Sequence, residues 1–162
     1  MRPQLYTVVR SGPGTLSTMS RPRGHDWLAD EMRALGAAGV SCLVSMLTSA
    51  EEHELGLERE ATLAHSAGMA FVAVPTVDRG VPSVSALRAA VQDTTERLSK
   101  GEHVVAHCRH GIGRASLFAA AVLVEEGLAP DDAWARLSAA RGRPVPDTSE
   151  QRAFLARRSP PS

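Results

Sequence analysis

The chain has 162 residues, 43% hydrophobic and 22% charged, a balance that suits one folded domain and excludes a disordered tail or a membrane bundle. Eighteen basic residues, all arginine except Lys100, balance eighteen acidic ones, and the net charge of zero removes any bulk electrostatic case for nucleic acid or anionic membranes. Two cysteines, Cys42 and Cys108, with no apolar leader after Met1, Arg2 and Pro3, point to a reducing cytoplasm rather than a disulfide-stapled secreted fold.

The first elements expected are two short edge strands, Leu5 to Val9 and Thr15 to Met19, separated by the turn Ser11-Gly12-Pro13-Gly14. Asp26 opens a helix in which Leu28, Met32 and Leu35 recur at helical spacing and which ends around Gly36 to Gly39. The run Val40 to Leu47 predicts a buried strand. Thr48 and Ser49, each followed three residues later by glutamate, have capping-box spacing and start a broken helical stretch to Ala67. Its glutamates, Glu51, Glu52, Glu54, Glu58 and Glu60, are expected on a solvated face. Phe71 to Val74 predicts a further strand running into the proline-flanked loop Pro75 to Pro82.

Ser83 caps a helix whose Val84, Leu87, Val91 and Leu98 follow the 3.6 period, and Gly101 stops it. His103 to Ala106 is another short strand, followed by a loop to Arg114 and a helix apolar on every side from Leu117 to Val124, which belongs in the core. That run is eight residues where a bilayer span takes roughly 20, so no integral membrane association is expected. Pro130 fits the first position of the next helix, which Arg141-Gly142-Arg143-Pro144 ends. Thr148 and Gln151 form a capping-box pair for the last one. Alternating strands and helices predict an α/β single domain with a central, mostly parallel twisted sheet flanked by helices, covering residues 1–158, with 159–162 a frayed tail.

The chemistry concentrates in His107-Cys108-Arg109-His110-Gly111-Ile112-Gly113-Arg114. A glycine-bearing loop between a strand and a helix N-terminus aims several backbone N–H groups at one point, where the helix dipole adds positive charge. Such a cradle binds a tetrahedral anion and favours the thiolate of Cys108 over the thiol. Arg114 can hold two phosphate oxygens bidentately, which a lysine does less well. Gly111 and Gly113 supply the backbone freedom.

His107, Cys108, Gly111 and Arg114 stand in the register of H-C-x5-R, and the segment resembles the signature of the cysteine-dependent phosphatases, the protein tyrosine and dual-specificity superfamily. The resemblance implies the fold of that superfamily, a phosphocysteine intermediate with Cys108 as nucleophile, and phosphate binding by Arg109, His110, Gly111, Ile112, Gly113 and Arg114. It also implies a general acid on a separate loop. Asp78, thirty residues upstream in Pro75 to Pro82, matches that acid, although Val77 replaces the proline frequent before it. His107 is expected to be buried and hydrogen-bonded beside the cysteine, and Gln151 to cap its helix or to orient water. Ala115 stands where the superfamily usually carries serine or threonine to stabilise the departing thiolate, so the intermediate is expected to break down slowly unless Ser116 or a water substitutes.

The small dual-specificity type fits best, because no separate lysine- and aromatic-rich loop deepens the pocket. No cofactor or metal is expected; Arg109 between Cys108 and His110 disfavours a metal site. Expected partners are phosphorylated proteins or peptides, with phosphoinositides as the rival substrate; nothing here sets an oligomeric state. Arg109 and His110 are expected to raise the positive potential at the rim or simply to be solvated. A phosphate-binding pseudophosphatase and a redox thiol are the other classes, and Cys42 is expected in the core, with a disulfide to Cys108 requiring Cα atoms within about 7 Å.

Overall fold

The structure, a computed structural model, describes residues 2–158, so the tail expected at 159–162 lies outside the described residues. Five strands form one sheet: β1 (Tyr6–Thr7), β2 (Thr15–Met19), β3 (Cys42–Ser45), β4 (Ala70–Ala73) and β5 (His103–His107), in the order β1-β2-β5-β3-β4. Only β1 runs antiparallel, pairing Tyr6 with Thr18. The α/β domain with a mostly parallel sheet is therefore as expected, and so is β1 as an edge. Thr15 to Met19 is not an edge strand: β2 lies between β1 and β5, with Leu16 to Met19 buried. A neighbour on either side and a face on each helical layer explain its burial.

Alternation along the strands divides the core between two helical layers. Leu43, Val105 and Met19 pack with Leu28, Met32 and Leu35 of α1 (Leu28–Ala37) and Ala64 of α3 (Glu60–Ser66). Val44, Val104 and Ala106 face the other way, onto α4 (Val84–Ser99), α5 (Arg114–Glu125), α6 (Pro130–Arg141) and α7 (Ser149–Ala156). In α5 every residue from Arg114 to Val124 is buried, as a helix apolar all round requires.

A 3₁₀ turn at His25–Trp27 precedes α1, one residue ahead of the expected start at Asp26. The expected broken helix after Thr48 is two helices, α2 (Ser49–Leu55) and α3, divided by Gly56 in the left-handed region at φ +69°. Both predicted capping boxes form, Thr48 with Glu51 and Thr148 with Gln151. No helix of the described residues is long and apolar enough to cross a membrane.

The sheet sets the position of the loop. Its central strand β5 ends with His107 paired to Met19 of β2 on one side and Ser45 of β3 on the other. The chain therefore leaves the sheet at the carboxyl ends of three parallel strands, where open α/β folds place their ligands.

Candidate active site

Residues 108–113 form the loop between β5 and α5, with Gly113 as the N-cap and no side-chain cap on the helix. The first-turn amides of α5 are thus left for another acceptor, and the backbone N–H of Ala115 donates to Cys108 Sγ at 3.4 Å. Gly111 has φ +71°, and a Cβ there would lie 2.7 Å from the Met19 carbonyl oxygen. Gly113 has an ordinary φ of −92°; a side chain there would meet the carboxylate of Asp147 at 2.6 Å and the Gln151 amide at about 3 Å. The two glycines serve different ends, the first conformation and close approach to β2, the second close approach to the segment leading into α7.

The loop is pinned from outside. Ser20 Oγ donates to the His110 carbonyl at 3.0 Å, Arg141 donates to the same oxygen at 3.3 Å, and the Arg21 amide donates to the Arg109 carbonyl at 3.3 Å. Ile112 packs on the core. The His110 side chain is exposed. Arg109 is ion-paired with Glu51 at 3.4 Å and Glu54 at 3.2 Å, so the side-chain charge expected to raise the rim potential is compensated from α2.

Arg114 is 1% exposed and is held on all sides. Its Nη1 donates to Glu51 Oε1 at 2.7 Å, to the Thr76 carbonyl at 2.8 Å and to the Met46 carbonyl at 3.4 Å; its Nη2 donates to Glu51 Oε2 at 3.0 Å. Asp78 Oδ1 lies 3.2 Å from the same Nη2, which brings the expected acid to the expected phosphate-binding guanidinium. Burial disfavours the Glu51 carboxylate, but hydrogen bonds from Arg114 and the Thr48 backbone outweigh it and hold its pKa at about 2. The same ion pair raises the Arg114 pKa against the opposing effect of burial.

Asp78 owes its place to a loop tied at both ends. The Thr76 amide donates to Met46 at 3.1 Å, the Gly80 amide closes a turn onto the Val77 carbonyl at 2.8 Å, and Gln151 Nε2 donates to the Gly80 carbonyl at 3.0 Å. These ties fix the loop without a proline at Val77, whose side chain is 72% exposed. Gln151 is fully buried; its Oε1 accepts the amides of Asp147 and Thr148, so capping is its observed role, with the bond to Gly80 in addition.

His107 is buried, as expected, and its partner is Glu60, with Nε2 and Oε2 2.6 Å apart; its Nδ1 lies 3.3 Å from the Cys108 carbonyl oxygen. Burial lowers the His107 pKa, but the charge and hydrogen bond of Glu60 prevail and raise it. A protonated ring donates on both sides, coupling α3 to the backbone of Cys108.

The expectation of a solvated glutamate face fails at two positions, since Glu51 is 8% and Glu60 1% exposed. Both had a signal in the sequence. Glu51 closes a capping box with Thr48, and Glu60 shares the helical face of Ala64, four residues on.

Ser116 is buried and its Oγ has no hydrogen-bond partner among the described residues, so its hydroxyl does not take the place missing at Ala115. A Cys42–Cys108 disulfide is also excluded. Cys42 pairs with Val104 in the sheet, and Cys108 lies four residues beyond Val104, about 13 Å along the strand direction. Cys42 is core, with burial pushing its thiol up to about 11.

A sheet-to-helix loop that holds a cysteine sulfur at a helix N-terminal amide and ends in a buried arginine, with an aspartate delivered from a second loop, is the arrangement of a cysteine-dependent phosphatase. Residues 17–128, more than half of the chain, match the family described as "Polymorphic toxin system, DSP-PTPase phosphatase", and the chain belongs to it. It is accordingly a phosphatase of the dual-specificity and protein tyrosine type. No curated protein matches it in sequence. Among solved structures it is similar to a kinase-associated phosphatase with serine at its catalytic cysteine, at TM-score 0.87 and 18% identity over 96% of this chain and 93% of that one. It is also similar to Tk-PTP in its active form, at 0.74 and 22% over 94% and 95%, and to PTPMT1 in complex with PI(5)P, at 0.73 and 21% over 90% and 88%. These likenesses show the fold.

Proposed function

We propose that the chain removes phosphate from phosphotyrosine, and from phosphoserine or phosphothreonine, in proteins by a two-step cysteine mechanism. The observation that carries this reading is the meeting of Cys108, Arg114 and Asp78: an α5 amide lies 3.4 Å from the sulfur, and the carboxylate 3.2 Å from the guanidinium.

In the first step the Cys108 sulfur attacks phosphorus; an S–P bond forms, the P–O bond to the leaving group breaks, and Asp78 gives its proton to the departing oxygen. In the second, the Asp78 carboxylate takes a proton from water as that water attacks phosphorus, and the S–P bond breaks to return the thiolate. Arg114 and the loop amides hold the equatorial oxygens throughout, so their stabilisation is realised where charge spreads in the transition state. Glu51 fixes the orientation of the guanidinium through both Nη atoms, and Nη2 also faces Asp78.

The test is metal-free hydrolysis of a chromogenic aryl phosphate, inhibited by vanadate. Cys108→Ser abolishes it, and Asp78→Ala slows it by about 10² to 10⁴ fold on a substrate with a poor leaving group. Full activity in Cys108→Ser defeats the proposal. A second reading, a phosphate-binding protein with negligible turnover, is favoured by Ala115 together with the unengaged Ser116 hydroxyl. Folded protein that binds vanadate and never turns over supports it. A panel of phosphopeptides and phosphoinositides then ranks the substrate classes.

A further inference from the structure

The start of α4, the last turn of α5 and the end of α7 enclose a cavity of about 500 Å³ remote from the phosphate loop. One part of its wall is apolar, from Val84, Val124 and Phe154; the rest carries Arg88, Arg157 and Arg158 against the single acid Glu125. Some arginines of the molecule have carboxylate partners, as Arg97 has Asp93 and Glu102 and Arg109 has Glu51 and Glu54, whereas others, such as Arg136 and Arg141, donate to backbone carbonyls. Among the described residues, Arg88, Arg157 and Arg158 form no ion pair. Arg158 Nε is buried without a hydrogen-bond partner, and Arg157 only stacks over Phe154.

Like charges brought from two helices to one partly enclosed space repel, and a buried guanidinium nitrogen without an acceptor is costly. Burial, then the charge of Arg88, lowers the Arg158 pKa, with Glu125 opposing. An anion relieves all of this. A bare inorganic anion would leave the apolar wall unused, whereas a volume of this size takes whole side chains.

We propose that this cavity docks an acidic segment of the phosphoprotein substrate, an aspartate or glutamate next to an apolar residue. The identity of the segment's owner rests on the function proposed above; the chemistry of the cavity does not. Arg114 and Val124 are ten residues apart on α5, about 15 Å at 1.5 Å per residue. Because α5 is buried along that length, a substrate chain has to pass over the surface, and about five extended residues is the smallest spacing between the phosphorylated residue and the docked acid. Val84 opens α4 directly after Ser83 and the loop that carries Asp78, so the docked segment lies beside the chain leading from the acid.

The experiment measures fluorescence anisotropy of a labelled unphosphorylated peptide carrying Glu-Leu-Glu, on the full chain with vanadate filling the phosphate site. The wild type binds it in preference to a Gln-Leu-Gln control, and Arg88→Glu with Arg158→Glu weakens binding roughly tenfold or more. The single Arg88→Gln, at an exposed position, repeats the trend if the double variant does not fold. For phosphopeptides with the acidic segment about five or more residues away, the double variant raises KM, leaves kcat unchanged and leaves aryl phosphate hydrolysis intact. Equal binding of the two peptides, or equal binding by wild type and both variants, overturns the docking site. Displacement of the peptide by anionic vesicles but not by excess peptide overturns it in favour of a membrane. Preferential peptide binding by a chain without phosphatase activity upholds the cavity and defeats the proposed function instead.

Discussion

Glu51 grips the guanidinium of Arg114 with both carboxylate oxygens, at 2.7 and 3.0 Å, so the arginine that closes the loop is oriented by a side chain sixty-three residues away in sequence. The pair is nearly dry, and a buried pair is costly to break from one side because the partner keeps its charge.

Glu51→Ala is expected to destabilise the protein by about 3–5 kcal/mol and to raise KM while lowering kcat, as Arg114 loses its fixed plane. The folded pKa of about 2 lies below the unfolded value of 4.5. The pair's contribution, about 3 kcal/mol, is therefore complete above pH 4.5 and lost as pH falls toward 2. Urea midpoints measured from pH 7 to pH 2 check this: the wild type weakens over that window, and Glu51→Gln shows a shallower fall.

The Glu60–His107 pair titrates in the opposite sense. The folded His107 pKa is raised, so its stabilisation is complete below the unfolded value of 6.5 and is lost as pH rises through the folded one. In Glu60→Gln the ring is expected to lose its proton at lower pH, and the alkaline limb of kcat/KM to move the same way. Ring resonances of His107 report the first and a pH–rate profile the second; unchanged values in both would reduce Glu60 to packing.

Replacing Ala115 with serine restores a hydroxyl beside the departing sulfur. Single-turnover kinetics on an aryl phosphate are expected to show faster breakdown of the phosphocysteine and a smaller initial burst. Ser116→Ala is expected to leave turnover unchanged and stability equal or slightly higher, because it removes a buried hydroxyl with no partner. A loss of turnover in Ser116→Ala would show that this hydroxyl serves the sulfur.

Gly111→Ala tests the loop's backbone. The left-handed φ and a Cβ 2.7 Å from the Met19 carbonyl together are expected to cost about 2–3 kcal/mol and to displace the amides. Vanadate affinity falls by more than thermal stability alone explains, which calorimetry and vanadate titration separate.

The sequence by itself determined the loop 108–113, because its parts are contiguous: a strand, six residues and a helix start convert spacing directly into geometry. Asp78 was legible for a related reason, since one proline-flanked loop after a strand leaves few places for it to go. Only the tertiary structure decided what stands behind that loop. Glu51 and Glu60 look like solvated glutamates until the fold brings α2 to Arg114 of α5 and α3 to His107 of β5. β2 looks like an edge until β5 inserts beside it, and Cys42 becomes inaccessible to Cys108 through strand register alone. Local chemistry is written in spacing, whereas the partner of a buried charge is chosen by whichever distant element the packing brings within hydrogen-bond reach.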